Sequence, residues 1–191
     1  MARTAGRDAE DTKRLILEAA AQLIGRRGTA VPVSDIAAAA GVSKGGLLYH
    51  FPSKEQLLNG LASSLMSQFR REVEQAAAEE DEQTPGRLTR AYIRVCFADA
   101  RDLIGLRDYL SLAARLMFEP GPEELARQDA RRWRAALFDD GIDPATVRMI
   151  IAAADGSNIA PLLGPVLNDS DRSALEADLI ALTYAPTSRA T

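Results

Sequence analysis

Pro32-Val33-Ser34-Asp35-Ile36-Ala37-Ala38-Ala39-Ala40-Gly41-Val42-Ser43-Lys44-Gly45-Gly46-Leu47-Leu48-Tyr49-His50-Phe51 is the stretch whose reading decides the fold. Val33, Ile36, Ala37 and Ala40 fall at i, i+3, i+4 and i+7, which gives a first short helix one apolar face, and Pro32 suits its first position. Gly41 then ends that helix, Val42 and Ser43 make a turn, and the Ser43 hydroxyl is placed to cap a second helix from Lys44 to Phe51. The pattern is a helix-turn-helix. Gly45 and Gly46 each weaken the second helix by roughly 1 kcal/mol relative to alanine; close approach of the backbone to a partner accounts for their presence. Lys44, Tyr49 and His50 surround them with a cation, a phenol hydroxyl and an imidazole, groups that reach phosphate oxygens or base edges.

On the N-terminal side, Ala9 to Arg27 reads as a strong helix. Glu10 and Asp11 stand in its first turn, Arg26 and Arg27 in its last, and Gly28 lies beyond its end. Leu15, Ile16, Ala19, Ala20, Leu23 and Ile24 form an apolar stripe that would cover the two short helices and complete a three-helix core. Residues 1–8 read as an arm in which Arg3 and Arg7 could touch phosphate. On the C-terminal side, Ser53 caps a long helix, with Gln56 completing a capping box. Lys54 opposes the dipole of that helix, a choice that makes sense where an anion binds the helix end.

Charge is distributed to match. The formal net charge is −4, yet residues 1–54 carry eight basic against five acidic side chains and the rest of the chain fifteen against twenty-two. A modestly basic head on an acidic body fits a protein that docks on DNA through one end.

Asp35-Ile36-Ala37, Ala40-Gly41-Val42-Ser43-Lys44-Gly45, Leu48-Tyr49-His50-Phe51, Ser53-Lys54-Glu55 and Leu57-Leu58 together resemble the DNA-binding domain of TetR-type transcriptional regulators. The resemblance covers about residues 9–70. It implies an all-α homodimer with a helix-turn-helix domain over 1–52 (motif 32–51) and a helical ligand-binding and dimerisation domain over 53–191. It also implies double-stranded operator DNA as partner and Ser34, Ser43, Lys44, Gly45, Leu48, Tyr49, His50 and Lys54 as DNA-binding residues. Two positions depart from the family pattern. Pro32 stands where a threonine or serine is common, so Ser34 would supply the hydroxyl, and Leu48 stands where an aromatic is frequent, able to pack on a thymine methyl but not to hydrogen-bond a base.

At 191 residues with 47% hydrophobic content the chain can bury a sizeable core, and no apolar run reaches the length of a membrane span. The N-terminus has no apolar signal region, so a cytoplasmic location is expected. One cysteine, Cys96, and one histidine, His50, leave no set for a disulfide or a metal site, and no cofactor is expected. The acidic segment 79–86 reads as a solvated connection. Helices are expected from Arg87 to Arg101, Leu103 to Phe118, Pro122 to Asp139, from Pro144 after an Asp143 cap, and from Asn168 to Thr183, with a break near Asp102 and fraying after residue 184.

Two sites are expected in the body. Tyr92, Cys96, Tyr109, Leu112, Leu116, Met117, Trp133 and Met149, with Asp155 and Asn158 as polar contacts, are candidates for a mostly apolar pocket that takes a hydrophobic or amphipathic small molecule. Val147, Ile150, Ile151 and Ala154 on one helix and Leu175 and Leu179 on the next are candidates for a four-helix dimer contact. Outside the head there is no histidine, no paired cysteines, no phosphate-cradling glycine loop and no Gly-x-Ser-x-Gly elbow, so an enzyme is not expected. A dimeric repressor released by a small molecule is the leading expectation. An activator or ligand-independent regulator of the same fold is the alternative, and a helical carrier that never meets DNA a remote one.

Overall fold

The computed structural model describes residues 8–99 and 103–184; the expectations for Arg3 and Arg7, for the break at Asp102 and for residues 185–191 lie outside them. Among the described residues the chain is all helix and turn, with no strand: α1 (Ala9–Arg27), α2 (Val33–Ala39), α3 (Lys44–His50), α4 (Lys54–Ala77), α5 (Arg87–Asp99), α6 (Leu103–Leu116), α7 (Pro120–Phe138), α8 (Pro144–Ile159), a single 3-10 turn (Ala160–Leu162) and α9 (Asp169–Leu182). No helix of this set is long and apolar enough to cross a membrane.

Helix ends follow local chemistry. The Gly28 N–H closes α1 on the Ile24 carbonyl at 2.8 Å. Gly41 takes φ +68°, the left-handed region that a side chain would resist, and this frees the chain to turn between α2 and α3. Pro32 precedes α2 as its N-cap, instead of occupying the first helical position, and its carbonyl accepts from the Ile36 N–H at 3.3 Å. Asp143 accepts from the Ala145 and Thr146 N–H groups ahead of Pro144, as expected. Asn168 and Asp171 close a reciprocal capping box on α9.

Packing divides the chain into two compact units, one comprising residues 1–66 and 108–127 and the other 67–107 and 128–191. The division falls inside α4, beyond the expected boundary at 52/53. In the first unit, Ile16, Ala20 and Ile24 of α1, Ile36 of α2 and Leu47 of α3 are fully or almost fully buried together with Leu57 and Leu61 of α4. Leu112 and Leu116 of α6 belong to this same core, and Ser111 Oγ and Arg115 Nε both donate to the Gly25 carbonyl at 3.0 Å. A fully buried aliphatic side chain contributes roughly 1.5–3 kcal/mol.

In the second unit α5 is central and packs on α8 and α9. Val147, Ile150 and Ala154 have no exposed surface, and Leu179 is 4% exposed, because their stripe faces Ile93, Cys96 and Phe97. These four residues therefore cannot form a dimer surface, and Ile151 and Leu175 are partly buried against the same core. The outward face of α8 carries Met149, Ala152, Gly156 and Ile159 instead.

The acidic segment before α5 is exposed at Glu79, Asp81, Glu82, Gln83 and Pro85, as expected of a solvated connection, but Glu80 is anchored. Arg90, fully buried, bonds both Glu80 oxygens, the Pro85 carbonyl at 3.0 Å and Thr183 Oγ at 3.0 Å, and its guanidinium stacks on Tyr184. Asp140 caps the start of α5 by accepting from the Leu88 and Thr89 N–H groups at 3.2 and 2.7 Å.

Candidate nucleic-acid interface

The site is built on α2 and α3. Ser43 sits in extended conformation ahead of α3 and its Oγ accepts from the Gly46 N–H at 3.0 Å, so the cap read from the sequence is formed. Leu47 is fully buried and fixes the roll of α3, while Leu48 is half-buried at the edge of the same core. With Leu47 inward, Gly45 and Tyr49 lie on the opposite side of α3, Tyr49 82% exposed, and Ser43 and Lys44 are exposed at its start. His50 is half-buried and meets the Tyr49 ring edge to face at 5.2 Å.

The two glycines differ. A Cβ on Gly46 would come within 3.3 Å of Ser43 Oγ, so the cap itself disfavours a side chain there, whereas a Cβ on Gly45 would meet nothing nearer than 3.9 Å. No internal packing demands glycine at position 45.

Ser34 is exposed, with its hydroxyl 3.5 Å from Asp35, and Arg27 is paired with Asp35 at 3.2 Å. Lys54 has an internal role that the sequence did not show: its Nζ donates to the Val31 carbonyl at 2.9 Å and ties the α1–α2 connection to the start of α4. Ser53 Oγ accepts from the Gln56 N–H at 3.1 Å, one half of the expected capping box. Lys54 also borders a cleft of about 550 Å³ formed by Thr29, Ala30, Leu58 and residues 119–122.

The expected pocket residues are divided between the two units. Leu112 and Leu116 are core residues of the first unit, whereas Tyr92, Cys96 and Trp133 belong to the core of the second. Tyr109, Met117 and Met149 are exposed. Tyr92 runs out of its core to donate its hydroxyl to Asp155, and burial, reinforced by Cys96 and Asp155, pushes the Tyr92 pKa up, so it remains a protonated donor. Asn158, one turn beyond Asp155, keeps a buried Oδ1 with no hydrogen-bond donor facing it among the described residues.

The comparisons with known proteins agree with this architecture. Residues 16–61 match the family described as bacterial regulatory proteins, tetR family, and residues 86–184 match the tetracyclin repressor-like C-terminal domain. The chain belongs to the TetR family. It is a TetR-family transcriptional regulator. It is 35% identical over 86 residues to the HTH-type transcriptional regulator TtgR of Pseudomonas putida, a match covering 44% of this chain and 40% of that one. To the HTH-type transcriptional regulator BetI of Rhizobium meliloti it is 40% identical over 86 residues, covering 44% and 41%. The matched segment thus spans about two fifths of these relatives.

Among solved structures, the multidrug binding protein EbrR complexed with ethidium is 26% identical with a TM-score of 0.59, over 88% of this chain and 98% of that one. NalD, the secondary repressor of the MexAB-OprM multidrug efflux pump in Pseudomonas aeruginosa, shares the fold at 18% identity with a TM-score of 0.61, over 92% and 97%.

Proposed function

We propose that this chain is a cytoplasmic dimeric repressor that binds a palindromic operator and leaves it when a small hydrophobic or amphipathic molecule binds the body. The observation that carries the reading is the outward edge of α3, where Lys44, Gly45 and Tyr49 face solvent on a helix whose roll Leu47 fixes. Lys44, Gly45 and Leu48 are assigned to bases, and Ser34, Ser43, Tyr49, His50 and Lys54 to phosphates, with residues 1–52 reading DNA and 53–191 serving ligand binding and dimerisation. The dimer face is the outer side of α8, where Gly156 leaves open space that a second copy's helix can enter. Two reading helices would then lie about one DNA turn, ~34 Å, apart. For the effector, the support is the likeness to EbrR, a multidrug binding protein.

A gel shift with DNA upstream of its own gene, followed by transcript measurement in a deletion strain, tests the reading. Shifted DNA and a raised transcript are expected. A lowered transcript would make the protein an activator, and absence of any shift would refute the operator. Release of the shifted DNA by at least one member of a panel of neutral and charged hydrophobic molecules tests the effector.

A further inference from the structure

Trp133 is the one tryptophan of the chain, and it forms a triangle of rings with Phe69 and Tyr92. The three centroids are 5.5–5.6 Å apart and every pair meets edge to face. The guanidinium carbon of Arg70 lies 4.2 Å from the Trp133 ring centroid, and Arg70 is paired with Asp129 at 2.7 Å. A second carboxylate, Asp155, accepts a hydrogen bond from the Tyr92 hydroxyl of the same ring cluster. Aromatic faces and two carboxylates make a place for a cation.

The cation there now is held differently from Arg90, the buried arginine of the second unit. Arg90 has no exposed surface and bonds Glu80, the Pro85 carbonyl and Thr183 at once. Arg70 has one hydrogen-bonded partner among the described residues, Asp129, besides the ring, although a guanidinium offers five N–H donors. Its side chain is 25% exposed and that of Asp129 16%. Water reaches Arg70, so it can leave without stranding a buried charge, which Arg90 cannot do.

We infer that the position over Trp133 and beside Asp129 is a binding site for the charge of a lipophilic organic cation, filled in the free chain by Arg70. The inference rests on the effector-responsive reading above and names the chemical class of effector. An arriving cation takes the ring face and the Asp129 carboxylate, while its apolar groups lie on Phe69 and Tyr92 and the released guanidinium turns to water. An anion finds Asp129 and Asp155 repelling it. Arg70 also belongs to α4, whose first turns carry Leu57 and Leu61 of the core beneath the reading helices, so its release acts on a helix shared with that unit.

Trp133 makes the test direct, because its emission reports one place. Tetraphenylphosphonium, a lipophilic cation, is titrated into the full chain alongside triphenylphosphine oxide, a neutral molecule of similar ring content. Saturable change of Trp133 emission with the cation, and not with the neutral probe, is expected. Arg70→Gln removes the internal competitor and should bind the cation about fivefold tighter, whereas Asp129→Asn should bind it about fivefold more weakly. A merely structural ion pair predicts no gain from Arg70→Gln. Equal binding of the two probes by the unmodified chain, or unchanged affinity in both variants, overturns the inference, and the first comparison needs no variant to fold. Operator release by a neutral molecule with no response to the phosphonium would overturn the cation site and leave the effector reading standing. Release by no molecule of the panel, charged or neutral, would overturn the effector reading itself.

Discussion

Lys54 donates its Nζ to the Val31 carbonyl at 2.9 Å, so a lysine that the sequence offers to DNA phosphate also holds the connection between α1 and α2 against the start of α4. The two roles are compatible, because an ammonium has three donors and this bond uses one. Lys54→Ala should cost about 1–2 kcal/mol in unfolding free energy, the lower part of the range for hydrogen bonds to charged groups, since the side chain is only half-buried. It should also weaken binding to operator and unrelated DNA alike, and reduce the slope of log affinity against log salt by about 1 per subunit. A salt slope equal to that of the unmodified protein would leave Lys54 a structural residue only.

Leu47 and Leu48 stand side by side and should fail differently. Leu47 has no exposed surface, so Leu47→Ala should cost about 2–5 kcal/mol. Leu48 is half-buried at the rim of the core, so Leu48→Ala should cost about 1 kcal/mol of stability while relaxing base choice at one operator position by about 1–3 kcal/mol. Thermal melting combined with binding to an operator library separates these effects. A melting loss for Leu48→Ala as large as for Leu47→Ala, with selectivity intact, would place Leu48 in the core and out of the groove.

Features set by neighbours in sequence were legible. The span of α1, the turn at Gly41, and the Ser43 and Asp143 caps each depend on a few adjacent residues and were readable from them. What a face packs against was not legible. The stripe of Val147, Ile150 and Ala154 announces burial at helical spacing, but the same spacing serves a dimer seam or an internal core, and here α5 of the same chain covers it. Glu80 looked solvated for a related reason, since its partners Arg90 and Arg94 lie in α5, after the chain has turned. The expected pocket residues are divided between the two cores because large apolar side chains are needed in both, and composition does not separate Leu112 and Leu116 from Tyr92 and Trp133.

Acid should unfold the second unit through Glu80. The Arg90 hydrogen bonds and those of Arg94 hold its carboxyl below the ordinary carboxylate range, against an opposing push from burial. A folded pKa below the unfolded one, about 4.3 for glutamate, means that the stabilisation is present above that pH and is lost as pH falls through the lower folded value. The melting temperature of the unmodified chain should therefore fall more steeply below about pH 4 than that of Glu80→Gln, whose amide does not titrate there. At pH 7 the order reverses, because the amide leaves Arg90 buried without its counter-charge, at a cost of about 3–5 kcal/mol. Parallel pH profiles for the two proteins would mean that Glu80 does not govern acid stability.

Gly156 offers a test in which stability and assembly move in opposite directions. It lies on the outer face of α8 with Met149, Ala152 and Ile159, at an ordinary helical φ, and a Cβ built on it would meet nothing within 4 Å. Within one chain, then, a side chain at this position has room, and replacing a mid-helix glycine should stabilise α8 by up to about 1 kcal/mol. A dimer seam makes the opposite demand, because glycine on a helix face is useful where a second backbone comes close. Gly156→Leu should accordingly retain or gain helical content by circular dichroism while shifting the light-scattering mass at micromolar concentration toward one chain. Operator affinity should fall with it, since one reading helix makes half the contacts of a pair. A Gly156→Leu protein that remains a dimer with full operator affinity would move the interface off this face of α8.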